Sequence, residues 1–126
     1  MSLNTPLSRV RGLGSAKDGT HHWWAQRLTA IALLPLTLWF AISVAMLAGS
    51  DYAAVAAWVA APLNTILLIL LIAATFHHLQ LGVQVVVEDY IHGEGSKIAM
   101  LLLVKFASAL LGVACAYAVL RVAFGG

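Results

Sequence analysis

Three long apolar stretches decide what this chain can become. The first runs from about Leu28 to Ala48, the second is most continuous from Pro62 to Val87, and the third runs from Ile98 to Phe124. Each supplies the ~20 residues that cross ~30 Å of hydrocarbon at 1.5 Å per residue. Backbone N–H and C=O groups in lipid must pair within their own segment, so each stretch is expected to be a helix. With 126 residues in all, there is room for one domain and little mass outside the bilayer. Hydrophobic residues make up 62% of the chain and charged residues 10%, against ~45–50% and ~25% in a soluble domain. A soluble enzyme and a disordered chain are both excluded. The formal charge of +2 is too small and too dispersed to suggest a nucleic acid partner. Cys115 is the single cysteine, which excludes an intrachain disulfide framework and a cysteine-based zinc or iron–sulfur site.

The punctuation between the stretches agrees. Gly49-Ser50-Asp51 has turn chemistry and stops the first. Pro62 suits the first turn of a helix, where its missing N–H costs nothing, so the second span is expected to begin there. Residues 53–61 read as a short interfacial helix with Trp58 at headgroup depth. The run from Glu88 to Gly95 ends the second span, and Ser96 is expected to cap the third helix. The layout is an N-terminal tail over 1–22 and a three-helix anchor domain over 23–126, with spans at about 24–48, 62–88 and 97–124. The tail reads as a mobile or docking arm. The first apolar run starts too late and is too long for a secretory signal peptide.

Basic residues set the orientation. Arg9, Arg11, Lys17 and Arg27 precede or open the first span, Lys97 lies between the second and third, and Lys105 can snorkel toward that side; only Arg121 lies opposite. This distribution places the N-terminus in the cytoplasm and the C-terminus outside. The chain is therefore expected to be an all-α, multi-pass membrane protein. The third span carries Ser108, Gly112 and Ala116 at four-residue intervals, a stripe that admits close helix approach. Packing within the chain and packing against another subunit both remain open.

Polar groups inside lipid are costly, which makes them functional candidates. The second span holds Asn64, His77, His78, Gln80 and Gln84, then Glu88 and Asp89 at its end. If the boundary lies near Val87, His78 lies ~13–14 Å inward, close to mid-bilayer. It can hydrogen-bond a neighbouring helix, serve in a proton relay, or bind haem iron through a neutral imidazole nitrogen. His78, Gly82, Val85 and Asp89 share one helical face, and Gly82 leaves a gap where a flat macrocycle could lie. His77 points about 100° away and reads as a structural histidine. No second ligand of similar depth stands in the other spans, so a bis-histidine haem needs its other ligand from a partner.

A second constellation gathers where the first span opens and the second closes. It comprises His21-His22-Trp23-Trp24, Arg27 and Glu88-Asp89-Tyr90. Tryptophan and tyrosine belts with flanking charges anchor ordinary membrane helices, and Arg27 could simply pair with Glu88 or Asp89. A quinone, with two carbonyl acceptors on an apolar tail, could equally use the Tyr90 hydroxyl as donor and a carboxylate as proton relay. Arg27 could hold an anion such as a haem propionate.

The run His78-Leu79-Gln80-Leu81-Gly82-Val83-Gln84 through Asp89-Tyr90 resembles the signature of the membrane-anchor subunits of succinate dehydrogenase, respiratory complex II. The entry His21-His22-Trp23-Trp24-Ala25-Gln26-Arg27-Leu28-Thr29-Ala30 is similar to that family's entry into its first helix, and the resemblance covers the chain from His21 to Phe124. It implies half of a heterodimeric helical bundle, built with an SdhC-like cytochrome b anchor subunit around one b-type haem. It also implies docking of an iron–sulfur subunit and a flavoprotein subunit, which carry the iron–sulfur clusters and FAD, with ubiquinone as electron acceptor. By the resemblance, His78 would be the axial haem ligand and hence the one metal-binding residue. Arg27 would lie by the propionates or the quinone pocket, with His21 in the propionate vicinity. Tyr90 and Asp89 would bind quinone. No residue of this chain would be catalytic by itself, although the whole complex is an oxidoreductase. The implied location is a bacterial inner membrane rather than a mitochondrial one. His77 and Glu88 depart from the family pattern, by doubling the histidine and by adding an acid beside Asp89. A cytochrome b-type anchor of a quinol:fumarate reductase and a non-redox helix-packing protein are the alternatives.

Overall fold

The computed structural model describes residues 5–12 and 17–125. Among them every element is helical: α1 (Pro6–Val10), α2 (Lys17–Leu47), α3 (Tyr52–Ala60), α4 (Pro62–Tyr90) and α5 (Glu94–Ala123). Helices α2, α4 and α5 are each long and apolar enough to cross a membrane, as the three stretches require. The tail expected over 1–22 lies partly outside the described residues. Within them α1 is a short helix of five residues, and α2 already begins at Lys17, ahead of the apolar span it carries. A helix stops where its backbone bonding stops, not where its side chains cease to be apolar.

Each boundary has a local cause. Past Leu47 the chain turns at Gly49, whose φ of 82° suits a residue without Cβ, and Ser50 N–H donates to the Leu47 carbonyl at 3.0 Å. Asp51 then caps α3, its carboxylate accepting from Ala54 N–H at 2.9 Å. Ala61 is extended and serves as both the end of α3 and the cap of α4, with Pro62 in the first turn. The carbonyls at the end of α3 are under-supplied with backbone donors, and Ala61 N–H reaches only those of Ala57 and Trp58. Asn64 Nδ2 donates to the Trp58 carbonyl at 2.8 Å and Thr65 Oγ1 to the Val59 carbonyl at 2.6 Å. The intramembrane polarity of Asn64 is therefore spent on this corner.

The third long helix begins earlier than its serine suggested. Gly93 is the extended cap residue, its carbonyl accepts from Lys97 N–H at 2.8 Å, and Glu94 occupies the first turn. Ser96 is inside α5 and does not cap it. Glu94 in the first turn complements the positive end of the helix dipole, which a serine two residues later could not do as a cap.

Helix α4 is the centre of the molecule. The buried apolar residues Leu68, Leu71, Leu81 and Val87 all belong to it, and it packs on α2 and on α5. The neighbours run antiparallel to it. Gln26 and Thr29 of α2 meet Gly82 and His78, while Gly112 of α5 meets Phe76. Ser43, the buried polar residue of α2, donates to its own helix at the Trp39 carbonyl, 2.8 Å away. Leu34, Met46, Phe106 and Val113 remain exposed, as befits a surface whose outer solvent is hydrocarbon.

Candidate functional site

The two adjacent histidines of α4 face different seams. His78 is half-buried against α2, where its Nδ1 lies 3.0 Å from Thr29 Oγ1. His77 is exposed and lines a groove of about 370 Å³ between α4 and α5, with Phe76, Gln80, Lys105, Ser108 and Gly112. The small-residue stripe of α5 thus faces α4 in this chain, with a Cβ on Gly112 falling 3.5 Å from Phe76 Cδ2.

The seam around His78 contains more polarity than the histidine alone. His22, Gln26 and Thr29 recur at helical spacing and share one face of α2. His22 Nε2 and Gln26 Oε1 are buried without a hydrogen-bond partner. An unpaired buried polar group costs ~1–3 kcal/mol, so two on one helix face mark this seam as a place where polarity is kept at a cost. Gly82 faces this column: its nearest neighbour, were it to carry a Cβ, is Gln26 Nε2 at 3.7 Å. The gap expected at Gly82 is therefore bordered by the movable end of an amide side chain. Sequence places His22 in the entrance constellation without a role and passes over Gln26 and Thr29, although the i, i+4, i+7 spacing of the three opposite a histidine-bearing helix is the signal that finds them.

The end of the bundle holds the other candidates. Arg27 is exposed, with its guanidinium 5.5 Å from the centroid of the Trp23 ring. Among the described residues it forms no ion pair with Glu88 or Asp89. Glu88 instead accepts from Gln84 Nε2 at 3.0 Å, and Gln84 accepts from Gln80 Nε2 at 3.2 Å, a ladder along α4 that rises from the groove of His77. Asp89 and Tyr90 stand exposed at the close of α4, Tyr90 at 78%. His21 is exposed on the opening turns of α2, whereas His22 turns inward.

These residues suit one half of a haem site. Among the described residues, no three His, Cys, Asp or Glu side chains are grouped to hold a metal ion. His78 offers an intramembrane imidazole held at one nitrogen by Thr29, with the unpaired polar atoms of Gln26 and His22 one and two turns along α2 and the exposed cation of Arg27 next to Gln26. A neutral imidazole of this kind is a donor that could hold a haem iron.

Comparison with known proteins gives a consistent result. The family model of the succinate dehydrogenase/fumarate reductase transmembrane subunit matches residues 1–112. The succinate dehydrogenase hydrophobic membrane anchor subunit of Rickettsia bellii is 36% identical over 90% of each chain. That of Paracoccus denitrificans is 33% identical over 99% of this chain and 96% of its own. The corresponding anchor subunit of Reclinomonas americana is 30% identical over 71% of this chain and 77% of its own. No solved structure gives a significant match.

Proposed function

The chain belongs to the family of succinate dehydrogenase hydrophobic membrane anchor subunits, and on that premise we propose that it supplies one half of a haem-binding and quinone-reducing membrane domain. The observation that carries the haem reading is the α2–α4 seam, where His78 meets Thr29, and Gln26 Oε1 and His22 Nε2, one and two turns away on the same face of α2, are buried without a partner. In this reading His78 holds the iron through Nε2, and Arg27 neutralises a propionate by charge-assisted hydrogen bonding. Haem, when bound, supplies a one-electron store near the quinone. Tyr90 donates a hydrogen bond to a quinone carbonyl, and Asp89 holds a proton for the reduced ring. His21 lies toward the propionates.

A further ligand to the iron would come from a cytochrome b-type partner anchor. The iron–sulfur and flavoprotein subunits dock at the end of the bundle that holds Tyr90. The excess of Lys and Arg at that end supports a cytoplasmic side for it, and the bacterial relatives support an inner-membrane location. The family description also covers fumarate reductase, and the same site would then oxidise quinol.

The test is a reduced-minus-oxidised absorption spectrum of the membrane complex purified through this chain, with succinate–quinone activity measured beside it. A b-type signal lost in His78→Ala and kept in His77→Ala is the expected result. A signal lost only in His77→Ala moves the ligand to the other seam. Absence of both haem and activity in the parent removes the proposal.

A further inference from the structure

The Thr29 hydroxyl has one hydrogen and three neighbours. Oγ1 lies 2.7 Å from the Ala25 carbonyl, 3.0 Å from the Gln26 carbonyl and 3.0 Å from His78 Nδ1. Carbonyl oxygens can only accept, and the hydroxyl hydrogen is given to the shortest of the three contacts, the Ala25 carbonyl. The oxygen then keeps its lone pairs for the imidazole, and Nδ1 must arrive as the donor. A neutral histidine with its proton on Nδ1 has a bare Nε2, the form that binds a metal. Were the hydroxyl to donate to Nδ1 instead, the proton would stand on Nε2 and block it.

From this arithmetic we propose that Thr29 is a positioning residue that fixes the tautomer and ring plane of His78 and so presents Nε2 to haem iron. The proposal rests on the haem reading above. Ligating histidines are commonly steadied through their other nitrogen, and the hydrogen bond raises ligand basicity. Here the steadying acceptor sits on a different helix of the same chain, so α2 holds the ligand in place without touching the iron. A more basic imidazole stabilises ferric iron. Loss of the acceptor therefore moves the haem midpoint potential upward, a change that a purely helix-packing role for Thr29 would not produce.

The experiment uses the whole membrane complex with Thr29→Val, Thr29→Ala and Thr29→Ser, measuring haem retained on detergent washing and the haem midpoint potential. Val keeps the shape and Ala relieves any crowding, so a packing failure of one leaves the other. Both acceptor-free variants are expected to raise the potential and to weaken haem retention about 10–100-fold, with Ser at the parental values. Val or Ala complexes that hold haem as tightly as the parent at the parental potential overturn the inference alone. Equal losses in Ser and Val also overturn it, because the methyl rather than the hydroxyl would then matter. A parent complex without haem removes the underlying reading as well.

Discussion

The indole of Trp39 in α2 stacks on that of Trp58 in α3, with ring centroids 5.5 Å apart and planes inclined by 24°. The two residues are separated by the last two turns of α2, a tight turn and most of α3, so the stack ties α3 back to the first span. From sequence Trp58 reads as an interfacial anchor. The structure gives it a specific partner in Trp39. A stacked aromatic pair is worth ~0.5–1.5 kcal/mol beyond its buried area. Trp58→Ala is expected to lower the thermal midpoint of the purified complex, and Trp58→Phe to recover most of it. Equal midpoints for the parent and Trp58→Ala would show that the stack holds nothing.

Asp51 offers a cleaner reading of the same corner, because its carboxylate is exposed and bonds one backbone donor, Ala54 N–H at 2.9 Å. Removing a helix cap of this kind costs ~0.5–2 kcal/mol. Asp51→Ala should show that loss in thermal inactivation of the complex, whereas Asp51→Asn and Asp51→Ser, which keep an acceptor, should stay near the parent. A loss in all three would point to charge instead of capping.

The α4–α5 seam tolerates one methyl and little more. A Cβ on Gly112 meets Phe76 Cδ2 at 3.5 Å, an ordinary contact. Gly112→Ala should therefore leave assembly intact, while Gly112→Leu overpacks the seam by ~1–3 kcal/mol. Yield and thermal midpoint of the complex measure both. A harmless Gly112→Leu would mean that α4 and α5 can part in the bilayer without penalty.

What could be read from sequence followed from lipid physics. Hydrocarbon forbids unpaired backbone, so apolar length located α2, α4 and α5, and Pro62 located the start of α4. The divergence of His77 and His78 was legible too, because adjacent helical positions differ by about 100°. Periodicity could not say which seam each would face. That depended on the order of packing around α4, which puts α2 on the His78 side and α5 on the His77 side. Composition also gave no reason to choose His22 over His21, since both are histidines at a helix entrance. Only the rotation of α2 against α4 turns His22 inward with Gln26. Asn64 misled in the opposite direction: its polarity suggested a site, and it serves the corner after α3.

Tyr90 supplies the most direct test of the proposed quinone site. It closes α4 at 78% exposure, and among the described residues its hydroxyl makes no hydrogen bond, so it is free to donate to an incoming carbonyl. Tyr90→Phe removes that donor and little else. One hydrogen bond is worth ~0.5–1.5 kcal/mol net, and 1.4 kcal/mol is tenfold in affinity, so the KM for quinone should rise by about 2–10-fold. Succinate oxidation by a water-soluble dye, which draws electrons before the membrane domain, should stay at the parental rate. The haem spectrum should stay unchanged as well, because His78 lies more than three helical turns away along α4. A Tyr90→Phe complex with parental quinone kinetics would take this hydroxyl out of the site. A simultaneous loss of dye reduction would mean instead that Tyr90 helps to dock the soluble subunits.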